Sequence, residues 1–464
     1  MLIKTEGAPR EGMLSDAGLA SERWSSVHRL EKTVPAMTAF RGHRNEWFIM
    51  TKVLHLSTSD LEGGAARAAY RLHQGLKKCS ADSQMLVRAK QSNDLSVIAE
   101  SSLLTKMGPQ LNNFPLRHYP NRDRAMFSPQ WFPDQISFKV KQLNPDLINL
   151  HWICNGFLQI ETLAKFNKPL VWTLHDMWSF TGGCHYTREC HRYKNSCGSC
   201  PQLKSNRDRD LSFKTWQRKH KAWRNNLNLT IVSPSKWLAE CAHNSSLFQD
   251  TRIEVIPHGL DLKKYRPIEP ATARTILDLP QDKQLILFGA VTGTSDRRKG
   301  FELLKAALRK LGQSSWQNEI ELVVFGPANS DQLADLEFPI HCLGQFHDDL
   351  SLAIVYSAAD VTVVPSTQEA FGQTASESLA CATPVVAFGA TGLLDIVEHQ
   401  QDGYLAKPFE IEDLARGITW VIESPQRYHQ LCDHAYHKAK GKFSLITQAN
   451  RYLSLFEEII SQQK

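Results

Sequence analysis

The 464-residue chain holds no apolar run approaching bilayer-spanning length, which argues against a helical membrane protein. It has no internal repeat and no low-complexity tract, so solenoid and fibrous architectures are set aside. Its excess of positive charge is only +6 and accompanies no nucleic-acid-binding signature, so no nucleic-acid partner is expected. Neither the first thirty residues nor those after Met50 contain the apolar core of a signal peptide, so a cytoplasmic chain with reduced thiols is expected. What is present is ordinary for a globular protein, with 42% hydrophobic residues and a length beyond what one core usually serves. Two domains are expected.

The segment Pro365 to Leu379, PSTQEAFGQTASESL, follows an apolar strand at Val361 to Val364 and carries Glu369 and Glu377 with seven residues between them. A helix is expected from about Thr374 to Cys381, with Phe371, Gly372 and Gln373 leading into it. Gly372 permits close backbone approach, and a helix starting there aims unpaired N–H groups at an anion. Glu369 then lies in the loop and Glu377 inside the helix, so the two acids flank a phosphate cradle from different sides. That arrangement suits a nucleotide sugar, with one acid for sugar hydroxyls, one for the ribose, and amides for the diphosphate. Two acids at this spacing would mean little among the 48 in the chain without their surroundings.

Upstream, Leu285 to Ala290 reads as a buried strand, followed by a polar loop and Arg297-Arg298-Lys299-Gly300-Phe301. Leu303, Leu304, Ala307 and Leu308 then recur at helical spacing. Glu321 to Gly326, Val361 to Val364 and Val385 to Phe388 supply further strands between helical stretches, which argues for a parallel sheet with helices on both faces. Ligands of such sheets bind at the carboxyl ends of the strands, where Arg298, Lys299 and Glu369 fall. Cations are disfavoured beside a helix N-terminus, so Arg298 and Lys299 at this position point to an anionic ligand.

The segments FGAVTGTSDRRKGFELLKAAL, SAADVTVVPSTQEAFGQTASESLACATPVVA and DIVEHQQDGYLAKP resemble retaining GT-B glycosyltransferases of family 4. The N-terminal half resembles the branch that builds bacterial exopolysaccharide and lipopolysaccharide, colanic-acid-type enzymes included. The likeness covers roughly residues 51 to 460. It implies an α/β fold of two Rossmann-like domains facing across a cleft, with a C-terminal crossover helix. The implied activity is transfer of a hexose from a nucleotide-diphosphate donor to a saccharide acceptor, lipid-linked in this branch, with retention of anomeric configuration and no catalytic cofactor. By the likeness Arg298 and Lys299 grip the donor diphosphate, Glu377 binds the ribose and Glu369 approaches the transferred sugar. Phe371, Gly372, Gln373 and Thr374 line the same donor site. Three departures stand out. Gly289-Ala290 replaces the Gly-Arg usual at the first strand end, Ala382 takes a place usually held by Gly, and His258 one often held by Asn.

In the N-terminal half, the strand Val53 to Leu56 leads to Gly63-Gly64 and a helical run, a turn that can pass under a phosphate. A tight turn without a ligand is the plainer reading of a lone Gly-Gly pair. Leu147 to Leu150 leads into His151, and Leu170 to Leu174 into His175, placing both rings at carboxyl ends of predicted parallel strands. By the resemblance His175 contacts the donor sugar, and His151 is left as an acceptor-side candidate.

Cys184, Cys190, Cys197 and Cys200 crowd into seventeen residues. Four thiolates so close suit a closed tetrahedral zinc site with a structural role, pinning a long loop. Disulfides, an iron–sulfur cluster and free thiols stay open as alternatives, and His185 and His191 as substitute ligands. From Lys204 to Arg224, Lys204, Arg207, Arg209, Lys214, Arg218, Lys219, Lys221 and Arg224 face only Asp208 and Asp210, with Phe213, Trp216 and Trp223 interleaved. This run reads either as a solvated helix with an aromatic core face or as a surface resting on the anionic inner face of the cytoplasmic membrane.

The expected organisation is a flexible head at 1–49, with translation starting near Met50 as an alternative, then an acceptor-side domain at 50–255 containing a Cys-rich loop at 182–203. A nucleotide-sugar-binding domain follows at 256–445, and 446–464 returns as a helix to the first domain. A nucleotide-sugar epimerase of the same fold and a non-catalytic assembly scaffold are the competing functions.

Overall fold

The computed structural model describes residues 51–224, 227–289, 296–327, 333 and 336–462. The expected head, Ala290 and the polar loop just beyond it lie outside the described residues.

The first half forms a sheet of β1 (Lys52–Ser59), β2 (Asp82–Ala89), β3 (Val97–Ala99), β4 (Leu147–Leu150), β5 (Leu170–Thr173), β6 (Leu229–Ser233) and β7 (Arg252–Val255), in the order β3-β2-β1-β4-β5-β6-β7. The second half forms β8 (Gln284–Gly289), β9 (Ile320–Phe325), β10 (Ile340–Gly344), β11 (Val361–Val364), β12 (Val385–Phe388) and β13 (Gly403–Ala406), in the order β10-β9-β8-β11-β12-β13. All pairings are parallel. Strands such as β11 are apolar and buried along their length because helices cover both faces of a parallel sheet. In each sheet the strand order reverses once, between β1 and β4 and between β8 and β11, and such switch points open crevices at the carboxyl ends. β10 and β13 are short strands that the hydrophobic pattern does not announce.

Six helices position the site: α1 (Gly63–Lys78), α2 (Leu211–Trp223), α3 (Phe301–Gly312), α4 (Asp349–Ala358), α5 (Gln373–Ala380) and α6 (Leu445–Ser461). α6 follows the second sheet in the chain yet packs on the first. Its Ala449, Tyr452, Leu455, Phe456 and Ile459 share a core with Val53, Leu72, Leu76 and Val171. The Tyr452 hydroxyl bonds Thr173 Oγ1 at 2.9 Å. Gly75 on α1 admits α6 closely, since a Cβ there would lie 3.0 Å from the Leu445 side chain. Where the chain crosses between halves, Leu260 N–H donates to Phe443 O at 2.7 Å and Leu445 N–H to Leu260 O at 2.9 Å, so both crossings run side by side.

The basic stretch is smaller at the surface than its sequence suggests. Ser212, Thr215, Lys219, Ala222 and Trp223 form the buried stripe of α2. Lys219 sits on that stripe, donating to the carbonyls of Trp178 and Thr181 with its ammonium 3.5 Å from the centre of the Trp178 ring. Burial lowers its pKa to about 7. Arg218 makes a two-pronged pair with Glu161, both contacts at 2.7 Å. Lys204, Arg207, Arg209, Lys214, Lys221 and Arg224 remain exposed. No helix among the described residues is long and apolar enough to cross a membrane.

Candidate active site

The loops leaving β8 and β11 are knitted together. Arg297–Lys299 form a single 3-10 turn, in which Asp296 accepts from the Arg298 amide at 3.0 Å. Gly300 has φ +74°, and a Cβ there would lie 1.9 Å from Pro365 O, so only glycine lets the two loops meet. The Thr367 amide donates to Arg298 O at 2.8 Å. This brings Lys299 Nζ to 2.5 Å and the Arg298 guanidinium to 3.5 Å from Glu369 Oε1, which also accepts from Ser366 Oγ at 2.9 Å. Burial alone would raise the Glu369 pKa, but Lys299 and Arg298 together hold it below the usual carboxylate range. Three of the sequence candidates are thus one cluster at the switch point of the second sheet.

Gly372 begins α5 with φ +108°, and no side chain caps that end. The Ala375 amide already donates to Gly372 O at 3.0 Å, which leaves the Gln373 and Thr374 amides as an anion-binding end. Glu377, inside α5, has both oxygens engaged: Tyr356 donates at 2.9 Å, and Arg71 of α1 donates at 2.9 Å from across the cleft. Arg71 is buried and also bonds the Tyr265 hydroxyl and Asp349, each at 2.8 Å. The Gln373 side chain does not point to the anion end. It donates to Gly64 O at 2.8 Å, and a Cβ on Gly64 would lie 3.1 Å from its nitrogen. Gly63, with φ +86°, makes the turn that allows this approach. The Gly63-Gly64 loop and the start of α5 therefore meet directly.

On the opposite wall, His175 follows β5. Its Nε2 lies 3.0 Å from Nδ1 of His151, and its ring stacks on His258 at 5.1 Å, which in turn meets the Phe371 ring at 5.0 Å. His175 is half-buried and faces the segment 365–379 through these rings. His151 is buried with both ring nitrogens bonded, to His175 and to His55, so it is an internal group and not an acceptor contact. His258 is buried, and its Nδ1 has no hydrogen-bond partner.

The Cys-rich loop reaches the segment 365–379. Gln368 and the Arg188 backbone exchange hydrogen bonds of 2.9 and 3.1 Å, and the Arg298 guanidinium lies 4.3 Å from the centre of the Tyr186 ring. Tyr186 was hidden among the cysteines, and Arg71 in an unremarkable helix face; no sequence signal singles out either. His185 is buried between Asp176, at 2.6 Å, and Ser128, at 2.9 Å, while His191 is exposed. The four thiols do not fit the zinc site expected of them. Among the described residues no group of three or more His, Cys, Asp or Glu side chains is placed to hold a metal ion. Cys184 and Cys200 pack instead with Leu116, Phe127 and Leu203, and burial pushes the Cys184 and Cys200 thiols up and that of Cys197 to about 12.

Two family models match the chain, Glycosyltransferase Family 4 over residues 62–264 and Glycosyl transferases group 1 over residues 271–438. A D-inositol 3-phosphate glycosyltransferase of Streptosporangium roseum is 33% identical over 186 residues, covering 38% of this chain and 42% of the relative. The chain thus spans less than half the length of that relative. Sucrose-phosphate synthase from Thermosynechococcus elongatus aligns with a TM-score of 0.65 at 22% identity, over 89% of this chain and 100% of that one. HepE of Anabaena, solved with UDP and glucose, aligns with a TM-score of 0.61 at 18% identity, over 88% and 99%. Likeness at these identities concerns architecture, and the architecture is GT-B: two Rossmann-like α/β domains of parallel strands.

Proposed function

We propose that this chain is a retaining hexosyltransferase that takes its sugar from a nucleotide-diphosphate donor. The observation that carries the reading is the meeting of Arg298, Lys299 and Glu369 at the switch point of the second sheet, on the segment that leads into the uncapped start of α5. As the anomeric carbon loses its diphosphate, negative charge gathers on the leaving group and positive charge on the ring. Lys299, Arg298 and the amides of Gln373 and Thr374 are assigned to the diphosphate, which preorganised donors stabilise most strongly where water is excluded. Glu377 is assigned to the ribose, Glu369 and His175 to the transferred sugar, and Gly63-Gly64 to the edge of the cleft where donor and acceptor meet. No protein group is assigned as general base; with retention, the departing phosphate itself takes the acceptor proton. Closure between domains divided near residue 256 assembles the site.

The acceptor is proposed to be a saccharide, lipid-linked, in bacterial surface polysaccharide synthesis. The exposed basic residues around α2 support an encounter with an anionic membrane surface. The relatives named as D-inositol 3-phosphate glycosyltransferases favour a second acceptor class, a phosphorylated polyol. Release of nucleoside diphosphate from a panel of UDP- and GDP-sugars, with and without each acceptor, tests the reading. Acceptor-dependent release is expected. Donor isomerised without any acceptor would mean an epimerase, and no nucleotide effect of any kind a scaffold.

A further inference from the structure

A single hydrogen-bonded line runs beneath α1 from Asp94, near the surface, to His175 at the cleft. At the outer end Asp94 Oδ1 accepts the Ser96 hydroxyl at 2.6 Å. Burial would raise the Asp94 pKa, but the Ser96 bonds and Lys77 hold it well below the ordinary range, so it is ionised and can only accept. The one proton of Ser96 is therefore committed. Lys77 Nζ, which can only donate, reaches the same oxygen at 2.7 Å. His73 Nε2, 2.9 Å away, must then be the donor to Ser96.

The remaining bonds follow from that first direction. Burial keeps His73 neutral near pH 7, with a pKa of about 4, so its Nδ1 is bare and accepts from Ser83 Oγ at 2.8 Å. With its proton spent, Ser83 accepts from His55 Nε2 at 3.1 Å. His55 and His151 are also held neutral by burial. His55 Nδ1 accepts from His151 Nε2 at 2.9 Å, and His151 Nδ1 accepts from His175 Nε2 at 3.0 Å. Each neutral imidazole has one donor and one acceptor, so the orientation set at Asp94 passes unbroken across β2, β1, β4 and β5.

We propose that this line fixes His175 as its Nε2–H tautomer, leaving a bare Nδ1 that offers a ligand hydroxyl a hydrogen-bond acceptor in the cleft. His175 Nδ1 has no hydrogen-bond partner among the described residues, and the ring is clamped in orientation by its stack on His258. His151, His55, Ser83 and His73 are positioning residues that act through His175. The identity of the ligand as a sugar rests on the transfer reading above, but the tautomer is a property of the free protein. A hydroxyl-bearing group satisfies this nitrogen, and an acceptor-only group facing it leaves two lone pairs opposed.

The test is a two-bond proton–nitrogen correlation spectrum of the full chain labelled with 15N-histidine, without donor, at pH 7. His175 is identified by its loss in His175→Gln. The expected result is one tautomer, with Nε2 protonated and Nδ1 bare. Ser83→Ala cuts the line at a site remote from the cleft and should drop the Nε2–H form of His175 from nearly all to about half of the molecules, since either tautomer is then open. Ser83→Thr, which keeps the hydroxyl, should restore it. Asp94→Ala removes the orienting carboxylate near the surface and gives the same readout if Ser83→Ala does not fold. A proton on Nδ1 in the unaltered chain, or His175 resonances indifferent to both breaks, would overturn the proposal. Because no donor is present, this outcome is independent of whether sugar transfer is found.

Discussion

Arg71 on α1 and Glu377 on α5 meet at 2.9 Å across the cleft, joining the two halves of the protein through a buried ion pair. Asp349 makes a second pair with the same guanidinium at 2.8 Å. Removing one partner of a buried pair typically costs about 3–5 kcal/mol because the other charge is stranded. Opening the cleft relieves that cost by hydrating both acids. Arg71→Ala is therefore expected to be more open in solution, with a larger radius of gyration by small-angle scattering and an unchanged far-ultraviolet circular dichroism spectrum. An unchanged radius would show that Arg71 does not hold the halves together.

Lys299 is only partly buried and sits on a short turn already secured by Asp296 and Gly300, so the fold should tolerate its loss. Removing one preorganised donor to a developing anion costs about 100- to 1000-fold in turnover. Lys299→Ala should lose that much transfer activity while remaining folded, with Arg298 and Ser366 still against Glu369. Turnover within a few-fold of the parent would remove Lys299 from the diphosphate site.

Stability should fall as pH drops from 6.5 toward 4. Burial holds His73 and His175 near 4 in the folded chain, from an ordinary value of 6.5. In that window the unfolded chain binds protons that the folded chain refuses, so unfolding gains on the order of 1 kcal/mol per pH unit for each ring. The neutral-pH stability is complete above 6.5, and His55 and His151, also held neutral by burial, carry the loss further as the pH falls. Urea melts at pH 7 and pH 5 measure this, and equal midpoints would contradict burial of the neutral rings.

Ala382 ends α5 with φ +59°, the left-handed region in which a Cβ is crowded. Relief of about 1–2 kcal/mol of that crowding outweighs the extra chain entropy of glycine, about 0.4–1 kcal/mol. Ala382→Gly should raise stability by about 0.5–1 kcal/mol on those terms, read as a higher urea midpoint at unchanged slope. A lower midpoint would mean that the Ala382 methyl group contributes more by packing than it costs in strain.

The cluster at the switch point of the second sheet was legible because its signals are local. Glu369, Gly372 and Glu377 lie within one strand–loop–helix unit, and Arg298 and Lys299 within another, so apolar runs and helical spacing suffice to place them at strand ends. The family resemblance marks Ala382 as standing where Gly is usual, and the positive φ there is the physical expression of that departure. What the pattern could not show was contact between distant segments. Arg71 meets Glu377 across 306 positions where the two halves face one another, and His55 meets His151 across 96 because β1 pairs with β4. Lys219 counts in sequence among the basic run, but Thr215, Ala222 and Trp223 at helical spacing mark its stripe as the buried one. The cysteine spacing points to zinc, but spacing does not fix side-chain geometry, and among the described residues no group of three or more His, Cys, Asp or Glu side chains is placed to hold a metal ion.

Isothermal titration of the intact chain with UDP- and GDP-sugars addresses the diphosphate pocket most directly. At least one donor should bind saturably, and its affinity should fall tenfold or more in both Arg298→Ala and Lys299→Ala. Binding of every nucleotide sugar with equal strength to parent and variants, or to none of them, would contradict the assignment.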